Sequence, residues 1–211
     1  MSKLKVEMVF LLDSPYHVSA DRVSFGVDRA IYIDPRDGKA VIPATSLKGV
    51  LRYCIEGALR ARNIDVCEAP MPDRMCPRRD KDDCVVCKVF GSPRLKSRLV
   101  FQDIRLDSDI DVRMGVGIER RRRTAKEEHL FSFEVGYGKQ FSAEIKGVFT
   151  SDDEAMMACA LLFLGANTGF ALGGGKSRGL GWVKLKEFRA TIDGSEIPIQ
   201  SIKDKLKEVL A

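Results

Sequence analysis

The chain has 211 residues, enough for one domain with a sizeable core or one domain carrying large insertions. Its hydrophobic fraction of 45% is ordinary for a globular protein, its longest strongly apolar run (Ala155 to Ala166) is too short to span a bilayer, and no secretory pattern opens it, so the expectation is a cytoplasmic protein without membrane contact. A net charge of +5 excludes little by itself, but the positive charge is concentrated in Glu119–Arg123 and Pro93–Arg98, which hints at a polyanionic partner.

Residues 5–12 alternate and then turn fully apolar, as a central strand would. Residues 44–62 place Leu47, Val50, Leu51, Cys54, Ala58 and Leu59 on one helical stripe, with Thr45 or Ser46 as N-cap. Residues 98–106 read as a strand, 130–135 alternate, and 140–149 alternate more clearly, with Phe141, Ala143, Ile145 and Phe149 on one face. The stretch Ser151–Glu154 is a capping box that opens an apolar helix over 152–165. A strand over 181–190 and a short amphipathic helix over 200–210 close the chain. The main elements run β-α-β-β-α-β, which predicts a single α+β domain over 1–211 with a modified ferredoxin-like or RRM-like core. Three long segments, 13–43, 63–97 and 107–138, interrupt it, and connections of that length are usually functional or independently stabilised.

The segment 173–182, GGGKSRGLGW, looks at first like a nucleotide-phosphate loop. A Walker A loop with Gly175-Lys176-Ser177 fixed needs glycine at 170, where Phe stands, and it needs a strand before it and a helix after it, the reverse of the order here. A dinucleotide fingerprint fails on the same order. What remains is either a flexible turn or a different phosphate cradle, with Gly173, Gly174 and Gly175 allowing close backbone approach and Lys176 and Arg178 adding charge. At the first helix, Ser46 and the nearby N–H groups suit a phosphate, and Lys48 and Arg52, four residues apart, share a face; two solvated cations would show the same spacing.

Four of the six cysteines, Cys67, Cys76, Cys84 and Cys87, fall in a C-x8-C-x7-C-x2-C pattern. The segment around them is rich in proline and charge and could not fold around an apolar core of its own. In a cytosolic chain such a cluster favours metal over disulfides, and four thiolates close a tetrahedral structural zinc site. An iron–sulfur cluster is the alternative metal, although the spacing matches no common cluster motif. Cys54 and Cys159 sit alone in helical patterns as structural thiols.

Taken in order, several segments resemble the RAMP superfamily, and within it the backbone subunit of type III CRISPR effector complexes. They are the glycine-rich 172–185, the helix start IPATSLKGVLR at 42–52, the segment KVFGSPRLKSRLVFQD at 88–103 and the arm GIERRRRTAKEEHLFSFEV at 117–135. Ala44 and Thr45 replace the family's Gly and Ser, Glu119 stands where Asp is usual, and the arm lacks the usual glycine. The resemblance implies a modified RRM core and several copies lined up along a guide RNA. It implies a thumb-like arm that kinks the guide–target duplex, with other effector subunits, including a large polymerase-like one, as partners.

It also implies site residues. GVDRAIYIDP at 26–35 matches the family's cleaving loop and places its aspartate at Asp28, with Asp34 as the structural Asp-Pro residue at the following turn. A carboxylate there would hold Mg²⁺ or Mn²⁺ beside a kinked phosphate, so that the RNA's own 2′-hydroxyl attacks in line. His17 matches an early histidine and is expected to contact RNA. Arg120, Arg121, Arg122 and Arg123 form the arm's basic run. No RNP1-like aromatic signature is present, so recognition should go through backbone and shape and tolerate any guide sequence. The expected function is cleavage of complementary target RNA by an endoribonuclease subunit. A non-catalytic guide-binding subunit and a stand-alone RNA-processing nuclease are the competing readings, and the second is weakened by the lack of two repeated RRM-like units.

Overall fold

The computed structural model describes residues 1–19, 24–77 and 82–210. Parts of the first two insertions, at 20–23 and 78–81, therefore lie outside the described residues. In chain order the elements are β1 (Ser2–Leu12), β2 (Ala40–Ile42), α1 (Ala44–Arg60), α2 (Val85–Phe90), β3 (Leu99–Phe101), β4 (Ile104–Leu106), β5 (Asp109–Glu119) and β6 (Thr124–Tyr137). They continue with β7 (Gln140–Phe149), α3 (Asp152–Asn167), β8 (Phe170–Ala171), β9 (Trp182–Ile192), β10 (Ser195–Glu196) and α4 (Ile199–Leu210).

The main sheet is antiparallel throughout, ordered β10-β9-β1-β7-β3, with β8 also on β9. β1 alternates along its whole length: Ser2, Leu4, Val6, Met8 and Phe10 point into the core, and Val9 and Leu11 are partly exposed. The apolar run at its end therefore does not make it buried on both faces. The outer face is mostly charged, with Lys5 pairing with Glu7 and Glu144, Lys146 with Glu144, and Arg189 with Glu187, and it also carries the half-exposed Trp182.

On the inner face α3 packs against β1, β7 and β9, with α1 and α4 against its other sides. That enclosure explains why α3 is apolar nearly all round instead of striped. Gly165 lets α1 approach, since a Cβ there would stand 2.8 Å from Ile55 Cγ1. Ser151 caps α3 as expected, accepting from the Glu154 amide, while the Glu154 carboxylate reaches back to Thr150.

Three expectations are corrected. The N-cap of α1 is Pro43, not Thr45 or Ser46. Of its expected stripe, Leu47, Leu51 and Leu59 are buried and Val50 and Cys54 are partly buried against the core, but the buried face also takes in Ile55 and Glu56, which the stripe left out. The single strand over 98–106 is two, β3 and β4, broken at Gln102–Asp103; the Asp103 carboxylate accepts from the Ala44 amide at 2.7 Å, and β4 leaves the main sheet to pair with β2. No helix among the described residues is long and apolar enough to cross a membrane.

The arm is a β-hairpin of β5 and β6. On one face β5 presents Ile110, Val112, Met114, Val116 and Ile118, all partly exposed. A bulge between Val116 and Ile118 interrupts the register.

Candidate nucleic-acid interface

The base of the hairpin organises the residues around it. Segment 28–31 lies along the free edge of β6 as a short third strand. Asp28 and Arg29 amides donate to the Ser132 carbonyl, the Glu134 amide donates to the Arg29 carbonyl, and Arg29 bridges Phe133 in parallel. Asp28 itself is exposed, and its Oδ2 accepts from the Ser132 amide at 2.7 Å. The Ser132 hydroxyl accepts from the Asp28 amide at 3.1 Å and lies 3.1 Å from the Gly26 carbonyl.

His17 packs against the same stretch of β6. Its ring is 5% exposed, its Nδ1 donates to the Glu134 carbonyl at 2.7 Å, and its edge meets the Phe133 ring. Nδ1 must therefore carry a proton, and Nε2 is buried with no partner among the described residues.

The glycine-rich loop closes over His17. The Gly174 amide donates to the His17 carbonyl at 2.8 Å. Gly173 has a φ of +74°, and a Cβ there would meet that carbonyl oxygen at 2.1 Å, so only glycine fits. Gly174 differs: it is exposed, and a Cβ would find nothing of this chain closer than 3.4 Å. Gly175 begins a single 3₁₀ turn that displays Lys176 and Arg178 to solvent, and the Arg178 guanidinium lies 5.4 Å over the Phe131 ring. The structure thus brings Asp28, His17, Gly173–Gly175, Lys176 and Arg178 together around Phe131–Glu134.

The other candidates lie elsewhere. Arg120–Arg123 form the hairpin tip, exposed, roughly 30 Å from the base at about 3.3 Å per strand residue. At the start of α1, where Ser46 was expected to meet a phosphate, the Asp103 carboxylate occupies the first amide. Lys48 is half-buried; burial and the nearby Arg52 charge lower its pKa. Asp34 is buried in the turn before β2, where Arg36 and Arg105 grip its carboxylate and hold it well below the usual range.

Arg52 turns inward. Nε donates to Glu56 and Nη1 to the Gly91 carbonyl, both at 2.7 Å, while Nη2 reaches Cys87 Sγ at 3.2 Å and Cys67 Sγ at 3.8 Å. Cys67, Cys76, Cys84 and Cys87 are all buried, and their sulfurs lie within 4.8 Å of one another. Four thiolates at about 2.3 Å from a tetrahedral metal stand about 3.8 Å apart. The observed Cys67–Cys87 and Cys67–Cys84 separations are 3.1 and 3.6 Å. Hydrogen bonding from Cys87 lowers the Cys84 thiol, while the same bond raises Cys87 and burial raises Cys67. The cluster can bind a metal such as zinc.

Ser132 and Glu134 leave no local signal in the sequence, and only the pairing of β5 with β6 reveals their setting. Both stand opposite aliphatic residues of β5, Met114 and Val112, where an apolar pairing would continue the stripe. Both are 6% exposed.

A model of the RAMP superfamily matches residues 10–184. No curated protein matches the sequence. Among solved structures, a chain of the cryo-EM structure of type III-B Cmr-beta in its apo state aligns with a TM-score of 0.64 at 13% identity, covering 86% of this chain and 96% of that one. A chain of type III-B Cmr-beta bound to cognate target RNA aligns with a TM-score of 0.61 at 16% identity, covering 90% of this chain and 61% of that one. At these identities the likeness is one of fold.

Proposed function

The chain belongs to the RAMP superfamily, and from that premise we propose that it is a guide-RNA-binding backbone subunit of a type III CRISPR effector complex that cuts complementary target RNA. The strand order β9-β1-β7-β3, with α1 and α3 as the crossovers, supports reading the core as ferredoxin-like. The observation that carries the proposal is the convergence of an exposed carboxylate, a buried histidine and a cationic glycine loop on one hairpin base.

Phosphates of the guide lie against the loop, where Lys176 and Arg178 supply charge and the bare Cα of Gly174 leaves room for the approach. With contacts to phosphates rather than to base edges, binding tolerates any guide sequence. Arg120–Arg123 and Lys48 add phosphate contacts at the arm tip and beside α1. Copies of the chain line up along the guide, with other effector subunits, a large polymerase-like one among them, completing the complex.

For cleavage, the arm kinks the target and turns a 2′-hydroxyl into line with its phosphorus. Asp28 would hold Mg²⁺ or Mn²⁺, which supplies charge stabilisation at the scissile phosphate when bound. Zinc held by Cys67, Cys76, Cys84 and Cys87 orders the second insertion and takes no part in the chemistry.

A second reading has an observation in its favour: Oδ2 of Asp28 is already taken by the Ser132 amide, as it would be in a purely structural latch. Asp28→Asn separates the two. In reconstituted complex with labelled target and Mn²⁺, the cleaving reading expects regularly spaced cuts from the parent chain, abolished in the variant, with unchanged gel-shift affinity. It also expects no cut where the scissile nucleotide is 2′-deoxy. Undiminished cutting by the variant rejects Asp28, and a parent complex that binds but never cuts favours the structural subunit.

A further inference from the structure

We infer that Ser132 is the positioning residue for Asp28: a buried hydroxyl on the arm that sets where the exposed carboxylate stands. The inference rests on the cleaving reading above and goes beyond it, because it assigns part of the site to the arm.

The argument begins with pattern. β5 and β6 pair so that Val116 faces Leu130, Met114 faces Ser132 and Val112 faces Glu134. An arm that needed only a stable hairpin would place apolar residues at 132 and 134, where cross-strand apolar pairs contribute most. Polar side chains stand there instead, each 6% exposed, and a buried polar group is costly unless bonded. Both bond to the same segment: Ser132 to the Asp28 amide and the Gly26 carbonyl, Glu134 Oε2 to the Ile31 amide at 2.8 Å.

The consequence for Asp28 is geometric. The amide and the hydroxyl of Ser132 lie 2.7 and 3.3 Å from the same oxygen, Oδ2. Oδ1 is not among the atoms they reach. The amide holds that oxygen, and the single hydroxyl proton is shared between it and the nearer Gly26 carbonyl, while the hydroxyl oxygen accepts from the Asp28 amide, so the backbone on both sides of the carboxylate is tied to Ser132. The backbone bonds from Asp28 and Arg29 to the Ser132 carbonyl prevent the loop from sliding along β6. Alanine at 132 keeps the amide contact and removes the hydroxyl, so the segment stays docked while the carboxylate gains freedom.

The test uses the reconstituted guide-loaded complex and three chains: the parent, Ser132→Ala and Ser132→Thr. Single-turnover cleavage in Mn²⁺ should fall about 10- to 100-fold in Ser132→Ala, the range for loss of a residue orienting a metal ligand. Target affinity should stay within about twofold, because Ser132 touches no described cationic side chain of the interface. Ser132→Thr, which keeps the hydroxyl, should recover most of the rate. On the free chain, hydrogen exchange of amides 24–31 should quicken in Ser132→Ala and return towards parental rates in Ser132→Thr. Parental cleavage by Ser132→Ala overturns the inference, as does a slowing matched by an equal loss of target affinity. A parent complex that never cuts overturns the cleaving reading instead. The latch is then judged on exchange alone: faster amides at 24–31 uphold it, and unchanged ones refute it.

Discussion

The cysteine cluster joins one insertion to the body of the protein and the Asp28 loop joins another to the arm, and they do so in opposite ways. The cluster is closed: four buried sulfurs face one another, and the Arg52 guanidinium seals one side. The Asp28 loop is open: one exposed carboxylate is held by a single oxygen. A closed donor set completes a tetrahedral site by itself. One carboxylate does not, and a hard cation there needs phosphate oxygens as well. The first site should therefore matter to the folded chain alone, the second only when RNA is present.

The strongest way to break that contrast is to open the closed site. Cys84→Ser with Cys87→Ser should eliminate bound zinc in native mass spectrometry and expose the insertion to limited proteolysis, with or without RNA. A metal-free parent whose insertion resists protease would collapse the distinction.

A finer cut is Arg52→Ala. It strips the buried Glu56 (2% exposed) of its nearer cation, the other being Arg60 at 3.6 Å. Breaking a buried pair typically costs roughly 3–5 kcal/mol, which chemical denaturation will read. The guanidinium also donates to Cys87, so zinc affinity in a chelator competition should fall about 10- to 100-fold. Unchanged zinc affinity would make Arg52 a helix brace only.

The smallest effect belongs to the open site. Lys176→Ala and Arg178→Ala should each weaken guide RNA binding similarly across unrelated sequences and lower the salt slope by about one. Neither should alter zinc content or protease resistance. Loss confined to one guide sequence would instead signal base readout.

How much of this could be read beforehand follows from the kind of signal each part leaves. The cysteines announce themselves because a metal needs few residue types at short range. β7, α3 with its cap, and the glycine loop are similarly local. Gly173 shows why: its neighbour on His17 leaves no room for a Cβ, so the requirement is written at one position. The latch is harder because Ser132 and Asp28 are 104 residues apart, and neither is unusual in its own surroundings. Only the pairing of β5 with β6 shows that serine occupies an aliphatic slot. The helix stripe of α1 is incomplete for a related reason. Glu56 is inward because Arg52 bonds it, so the buried face contains a charge that hydrophobic periodicity cannot count. The break between β3 and β4 is invisible for the same cause, since Asp103 serves a helix 59 residues away.

The margins of the main sheet bear on how such a chain keeps apart from its own copies in solution. One margin ends in β3, three residues long, and the other in β10, two residues long. On the outer side of β9, β8 and β10 cover the two ends, and among the described residues no strand pairs with the stretch from Lys184 to Arg189 there. That stretch reads KLKEFR, a run of charge on bare backbone. Short, charged margins discourage the strand-to-strand recruitment that seeds fibrils. Copies of the chain that come together would then meet through side chains rather than through paired strand edges, and the free chain is guarded against polymerising.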